Sequence, residues 1–110
     1  MVFLPKDAII ATEKLTQYLL VPLPKDDKSK FLAQAGYSLD NWQELEQDLR
    51  TQVLPQPAEL IETNRYGEKY LIRTHLQGNN GVELRILTIW MVTKSTTRFV
   101  TLVPDKGVSQ

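Results

Sequence analysis

Hydrophobic residues follow different spacings in the two halves of this chain. In residues 1–54 they recur three or four positions apart in three short stretches, a spacing typical of helices with one apolar face. In residues 58–104 they form longer runs separated by turn-forming residues, as strands do. We therefore predict a single α+β domain over residues 1–110, with about three N-terminal helices packed on one face of a three- or four-stranded antiparallel meander. Residues 105–110 are predicted to be a loose tail.

Capping and breaking residues bound the three predicted helices. Thr12 caps the first helix, which runs to about Leu20 and stops before two prolines. The second begins at Asp26 and Asp27 and ends before Gly36, a residue suited to the position that follows a helix. The third begins near residues 38–40, and its apolar stripe consists of Trp42, Leu45, Leu49 and Val53. We interpret this stripe as the face that packs on the sheet; a partner-binding helix is the alternative.

Four strands are predicted in the second half, at about 59–63, 68–76, 82–92 and 98–103. The segment Gly78-Asn79-Asn80-Gly81 separates the second strand from the third. Asparagine and glycine tolerate the positive φ angles of tight turns, so this segment predicts a β-hairpin.

The parity of the hairpin loop decides which side chains share a face of the sheet, because side chains alternate along a strand. A loop of two or four residues pairs even positions with odd ones. The face toward the helices then consists of Tyr70, Ile72, Thr74, Leu76, Leu87, Ile89 and Met91. The open face consists of Lys69, Leu71, Arg73, His75, Leu84, Ile86, Thr88 and Trp90. A bulge or a three-residue loop would break this assignment.

The predicted open face places cations beside Trp90, which admits three interpretations. The face is an ordinary half-exposed sheet surface, or a protein partner or second copy buries Trp90 there, or the cations and the aromatic ring bind phosphates and stacked bases. Candidate binding residues are Tyr66, Tyr70, Arg73 and Trp90.

The amino-acid composition limits which catalytic groups and ligands the protein can use. The chain carries 13 Lys+Arg, 13 Asp+Glu, one histidine and no cysteine. Disulfides, thiolate nucleophiles and cysteine-ligated zinc are excluded, and neither a metal site nor a cofactor is expected. The charge balance disfavours a dedicated nucleic-acid binder, although a local patch that binds RNA is compatible with it. Neither a signal peptide nor a membrane span is recognisable, so we expect a cytoplasmic protein.

Short blocks along nearly the whole chain carry a resemblance. They are Lys14-Leu15 with Tyr18-Leu19-Leu20, Lys28-x-x-Phe31 with Gly36-Tyr37, Asn41-Trp42 with Leu45, Tyr66-Gly67-x-Lys69-Tyr70, Thr88-x-Trp90, and Arg98-x-Val100-Thr101 with Pro104. Together they resemble a family of short bacterial proteins without an established activity. Members of that family often carry glycine and arginine just before the lysine that matches Lys28. This chain has Lys25 and Asp26 there, a departure that argues against an anion-binding loop.

The predicted fold is also similar, at the level of architecture, to the barnase, EndoU and RelE-like metal-independent ribonucleases, which gather their active residues on an open sheet face. This similarity implies attack of a 2′-hydroxyl on the adjacent phosphate. Lys28, Lys69 and Arg98 would be its cations, and Thr88 and Thr101 would position oxygens. Tyr66 or Tyr70 would stack a base or relay a proton. The general base is the weak point, because the single histidine, His75, lies outside the blocks.

Two functions therefore stay open. The first is a binding or protein-interaction module, such as one component of a bacterial toxin–antitoxin pair, and it loses its main motivation if Trp90 is packed by its own chain. The second is an endoribonuclease or toxin-like domain, which requires Lys28, Lys69, Arg98 and a hydroxyl to meet in one open cleft.

Overall fold

The computed structural model describes residues 2–25 and 27–106. Three helical regions precede a four-stranded antiparallel sheet, so the α+β prediction is confirmed. Helix α1 consists of an α-helical turn, Thr12–Lys14, and a π-helical segment, Leu15–Leu19. The prediction that Thr12 caps this helix is wrong: Thr12 is its first residue, and Ala11 occupies the cap position without a side-chain bond. Helix α2 is Ser29–Ala33. Of its predicted start, Asp26 lies outside the described residues, and Asp27 precedes the helix and accepts a hydrogen bond from the Ser29 backbone N–H over 2.8 Å.

Helix α3 joins three kinds of helical turn. It begins as the 3₁₀ turn Leu39–Asn41, continues as the α-helix Trp42–Asp48 and ends as the π-helical segment Leu49–Val53. The Ser38 side chain and the Asn41 side chain cap its start reciprocally. The two long regions, α1 and α3, thus both close on wide turns, which keep Leu15, Leu19, Leu49 and Val53 buried.

The sheet is a meander in the order β1-β2-β3-β4. Its strands are β1 (Glu59–Asn64), β2 (Gly67–Gln77), β3 (Glu83–Val92) and β4 (Thr97–Pro104). The four predicted strands are confirmed with small differences at their ends. Bulges interrupt the ladder between β1 and β2 and between β3 and β4.

The hairpin between β2 and β3 corrects the predicted face of β3. The last pair before the turn is Gln77 with Glu83, which leaves a five-residue loop in place of two or four residues. Even positions therefore pair with even ones, as Ile72 does with Thr88. The loop is held by Gly78, whose backbone N–H donates to the Val82 carbonyl over 2.9 Å.

The core lies between the helices and one face of the sheet. On β2 the predicted core residues Ile72 and Leu76 are buried. On β3 the core residues are the ones predicted for the open face, namely Leu84, Ile86, Thr88 and Trp90. Leu87, Ile89 and Met91, predicted for the core, lie on the opposite face and are half-buried. The loop has an odd number of residues where an even number was predicted, so every β3 side chain lies on the face opposite to the predicted one.

The segment before α1 is tied to both halves. Ile9 forms a bridge with Arg98 on the outer edge of β4, and Val2 forms one with Ala58 just before β1. The Arg50 guanidinium of α3 donates to the Ala8 carbonyl over 2.8 Å. None of the described helices is long and apolar enough to span a membrane. The predicted tail, residues 105–110, lies outside the described residues beyond residue 106.

Candidate functional site

Thr88 and Trp90, predicted for a site on the open face, are core residues. Both have no exposed surface. The Trp90 indole Nε1–H donates to Thr88 Oγ1 over 2.8 Å, and the Trp90 ring packs edge-on against Phe99 at 5.3 Å between centroids. Neither residue is available to a ligand, because the helices cover this face of the sheet.

The open face of the sheet is the side away from the helices. Its centre is an apolar band on three adjacent strands, defined by Leu71, Leu87, Ile89, Met91 and Val103. Each of these side chains is half-buried. Thr101 of β4, which pairs with Ile89, borders this band and forms a hydrogen bond with Tyr18 of α1.

Lys69 and Arg98 lie on this open face, on either side of the apolar band. Both pair with Met91 in the strand register, so they are two strands apart, or about 10 Å between Cα atoms. Lys69 Nζ lies 3.7 Å from a carboxylate oxygen of Glu62 on β1. These two cations share a face but do not converge on one point.

Arg73 lies at the other end of the open face. Its guanidinium pairs with Asp105 at 3.3 Å. Together with His75 and Arg85 these residues line an open cavity of ≈ 380 Å³. Because the chain already places a carboxylate in this cavity, it is not a purely cationic site.

The two candidate tyrosines of β2 and its turn lie apart from these groups. Tyr66 is 67% exposed at the turn before β2, where Arg65 stacks on its ring and donates to its hydroxyl over 2.9 Å. Tyr70 packs against the core and donates to Glu68 over 3.3 Å. Desolvation, together with the Glu68 charge, raises the pKa of Tyr70.

Lys28 and Thr101 meet at the edge of the sheet through a residue that sequence reasoning did not select for the site. Lys28 Nζ donates to Tyr18 Oη over 2.8 Å, and Tyr18 Oη lies 3.0 Å from Thr101 Oγ1. We call these three residues the edge cluster. Tyr18 is in one of the sequence blocks that carry the family resemblance, but nothing in the sequence placed it beside Thr101, 83 positions along the chain.

The edge cluster is electropositive. Lys28 is only 9% exposed, and Lys14 Nζ lies 5.6 Å from the centre of the Tyr18 ring. The hydrogen bond from Lys28, followed by the one with Thr101, lowers the pKa of Tyr18, because both favour the phenolate.

The cleft required by the ribonuclease interpretation is not formed by the predicted residues. Lys69 and Arg98 lie two strands apart on the open face, Thr101 of the edge strand is joined to Lys28 through Tyr18, and Thr88 is in the core. Among residues 2–25 and 27–106, no group of three or more His, Cys, Asp or Glu side chains has the proximity that a metal site needs.

Comparison with known proteins gives a family and no activity. The sequence matches the model of a protein family over residues 5–106, and that family is described as a domain of unknown function (DUF6883). No curated protein and no solved structure is significantly similar to the chain. The match supports the predicted relation to an uncharacterised family. The similarity to ribonucleases gains no support from it.

Proposed function

Because the chain belongs to the DUF6883 family, whose function is unknown, we propose its role from its own geometry: it is a protein-interaction module that binds through the open face of its sheet. The observation that carries this proposal is the apolar band on a face that the helices leave uncovered. Trp90 no longer contributes to it, since its side chain is buried by its own chain.

The apolar band has the make-up of a protein interface. Interfaces that bind proteins combine an apolar centre with a polar rim, and the centre excludes water from the contact. Here Leu71, Ile89 and Leu87 are neighbours across β2 and β3, and Met91 and Val103 extend them. Charged side chains surround this centre on the same face.

The signs of the rim charges favour a protein over a nucleic acid. Three cations of the rim have a carboxylate beside them: Lys69 has Glu62, Arg73 has Asp105, and His75 has Glu83 when it is protonated. A phosphate backbone binds best to cations without interspersed carboxylates. A protein surface of mixed charge complements this rim.

A second copy of this chain suits the arrangement of the rim. Glu59 and Glu62 lie on the β1 side of the apolar band, and Arg98 lies on the β4 side. A two-fold axis parallel to the strands lays β1 of one copy over β4 of the other. The acidic side of one rim then faces the basic side of the next, while the two apolar bands pack together.

Sedimentation velocity over a range of protein concentrations tests this proposal. Ile89→Glu puts a carboxylate in the middle of the apolar band, so the wild type should form dimers and this variant should be a monomer. The control is Leu39→Glu, the same kind of change at a 45% exposed residue on the first turn of α3, which should leave dimers intact. Thermal melting of all three proteins checks that they are folded. A wild type that is monomeric at every concentration overturns the pairing of two copies.

The ribonuclease interpretation is tested by an RNA-cleavage assay, for which it and our proposal give opposite expectations. Its cations and hydroxyls do not share a cleft, so we expect no cleavage of mixed-sequence RNA by the wild type in EDTA. Cleavage that Lys69→Ala and Arg98→Ala both abolish would restore that interpretation and would displace the interaction module.

A further inference from the structure

The edge cluster holds more hydrogen-bond donors than it uses internally. A lysine ammonium can only donate, so Tyr18 Oη accepts from Lys28 Nζ. The 3.0 Å bond between Tyr18 Oη and Thr101 Oγ1 can run in either direction. In either direction one of the two hydroxyl protons is not used within the pair, so the cluster keeps a hydroxyl donor beside the ammonium.

The charge at the start of this chain lacks a compensating carboxylate among the described residues. Lys28 is 91% buried, and no described Asp or Glu oxygen lies within 4 Å of its ammonium. Burying a cation without a counter-charge is costly, and buried lysines are normally paired. Nζ uses one of its three protons on Tyr18, which leaves two for other acceptors.

The charged groups around Tyr18 add to the positive charge of the edge cluster. The charged side chains that shift the pKa of Tyr18 are Lys28 and Lys14, and both lower it. Among the described residues, no carboxylate acts in the opposite direction. The edge cluster thus presents N–H and O–H donors in a positive field.

We propose that the edge cluster binds an oxyanion of the phosphate class, held by Lys28 Nζ and by the hydroxyl proton that the bonded pair Tyr18 and Thr101 leaves free. A tetrahedral oxyanion accepts several hydrogen bonds at once and supplies the negative charge that the buried ammonium lacks. The site does not rest on the proposed interaction through the open face: Thr101 borders the apolar band through its pairing with Ile89, but the donors come from the edge strand β4, from α1 and from the residue before α2. It depends on Tyr18 and Thr101, so the departure from the family pattern at Lys25 and Asp26 does not remove it.

Calorimetric titration with inorganic phosphate, at constant ionic strength, tests the site directly. Wild type should bind phosphate, and Lys28→Met and Thr101→Val should each weaken binding, by about tenfold or more for the lysine, because charge-assisted hydrogen bonds are the strong ones. Lys30→Met is the matched control: Lys30 lies two residues after Lys28 in α2, is exposed, and should leave the affinity unchanged. If up to about 10 mM phosphate gives wild type neither heat of binding nor a higher melting temperature, the proposal is overturned, and so it is by equal binding to Lys28→Met.

Two further experiments test whether Asp26 compensates the charge of Lys28 and which molecule carries the phosphate group. Asp26 lies outside the described residues, and Asp26→Asn tests whether its carboxylate compensates Lys28. If this variant is destabilised as much as Lys28→Met and phosphate has no effect on wild type, an internal ion pair replaces our proposal. A 5′-mononucleotide and a short RNA are then compared with inorganic phosphate. Tighter binding of either, lost in Lys28→Met, identifies a nucleotide as the source of the phosphate group, whereas equal affinities identify the free anion.

Discussion

Replacing Thr88 by valine removes the acceptor of a fully buried tryptophan while it keeps the shape of the side chain. The Trp90 indole N–H would lose its 2.8 Å bond to Thr88 Oγ1. Both residues have no exposed surface, so water cannot take the place of the hydroxyl. Leaving a buried donor unpaired costs about 1–3 kcal/mol, and we expect Thr88→Val to lower the free energy of unfolding by that amount.

The assay is urea denaturation followed by far-ultraviolet circular dichroism. If the dependence of the unfolding free energy on urea concentration is the same in both proteins, the unfolded state is unchanged. A loss of this size also lowers the melting temperature by roughly 4 °C or more. Thr97→Val is the matched control, because Thr97 is a half-buried threonine of the same sheet whose hydroxyl makes no hydrogen bond within the described residues. Its stability should stay within about 0.5 kcal/mol of the wild type.

A double-mutant cycle isolates the hydrogen bond from the rest of the packing. Trp90→Phe removes the donor and also leaves unfilled space beside Phe99, with which the indole ring packs edge-on. That second effect is present with and without Thr88, so it cancels in the cycle. We expect a coupling of about 1 kcal/mol or more between the two positions. A coupling near zero, or a Thr88→Val protein as stable as the wild type, would refute the assignment of these residues to a dry core.

Two further predictions concern groups that the fold holds in place. Burial, together with the 2.6 Å bond to Asp48, raises the pKa of Tyr37, so the neutral phenol stabilises the protein fully below the ordinary tyrosine pKa of 10.0 and this stabilisation declines as the pH rises above it. In urea titrations across pH 10.0, Tyr37→Phe should flatten that decline and Tyr66→Phe should not; identical slopes in wild type and Tyr37→Phe would contradict the assignment. A Cβ at Gly78 would overlap the Ala35 carbonyl oxygen, so Gly78→Ala should destabilise by about 2 kcal/mol or more. Gly81→Ala meets no atom and carries only the strain of its positive φ, about 1 kcal/mol, and equal losses in the two glycine variants would count against the close approach.

The error in the faces of β3 has a specific physical origin. Alternation within β2 is a local property, and it correctly placed Ile72 and Leu76 in the core. The face of β3 depends in addition on the number of residues in the hairpin loop. Tight-turn chemistry at Asn79 and Asn80 suggested a short loop, but these side chains bind the helices instead.

The contacts that select the longer loop come from distant parts of the chain. Asn79 donates to Glu44 on α3 over 2.8 Å, and Asn80 donates to the Gln34 carbonyl after α2 over 3.1 Å. Gly78 allows the loop to approach Ala35 closely. A propensity computed from four neighbouring residues contains none of these partners, so tertiary contacts overrode it.

For the candidate site residues, too, local sequence and distant contacts supplied different information. Their residue types pointed to cations and hydroxyls, but only the packing of α1 against β4 brought Thr101 to Tyr18 and Lys28. Arg98 illustrates the limit well: the bulge between β3 and β4 decides its face, and no periodicity crosses the connection that precedes it.

By itself, the sequence determined the α+β class, the order of helices before strands and the position of each strand, because hydrophobic spacing and turn residues act over a few neighbouring positions. The tertiary structure alone decided that Trp90 belongs to the core, that the apolar band of Leu71 and Ile89 is left uncovered, and that a buried lysine ends beside two hydroxyls. Those outcomes depend on loop length, strand register and helix docking. Each of these is set by contacts between residues far apart in the chain, whose energies no local pattern records.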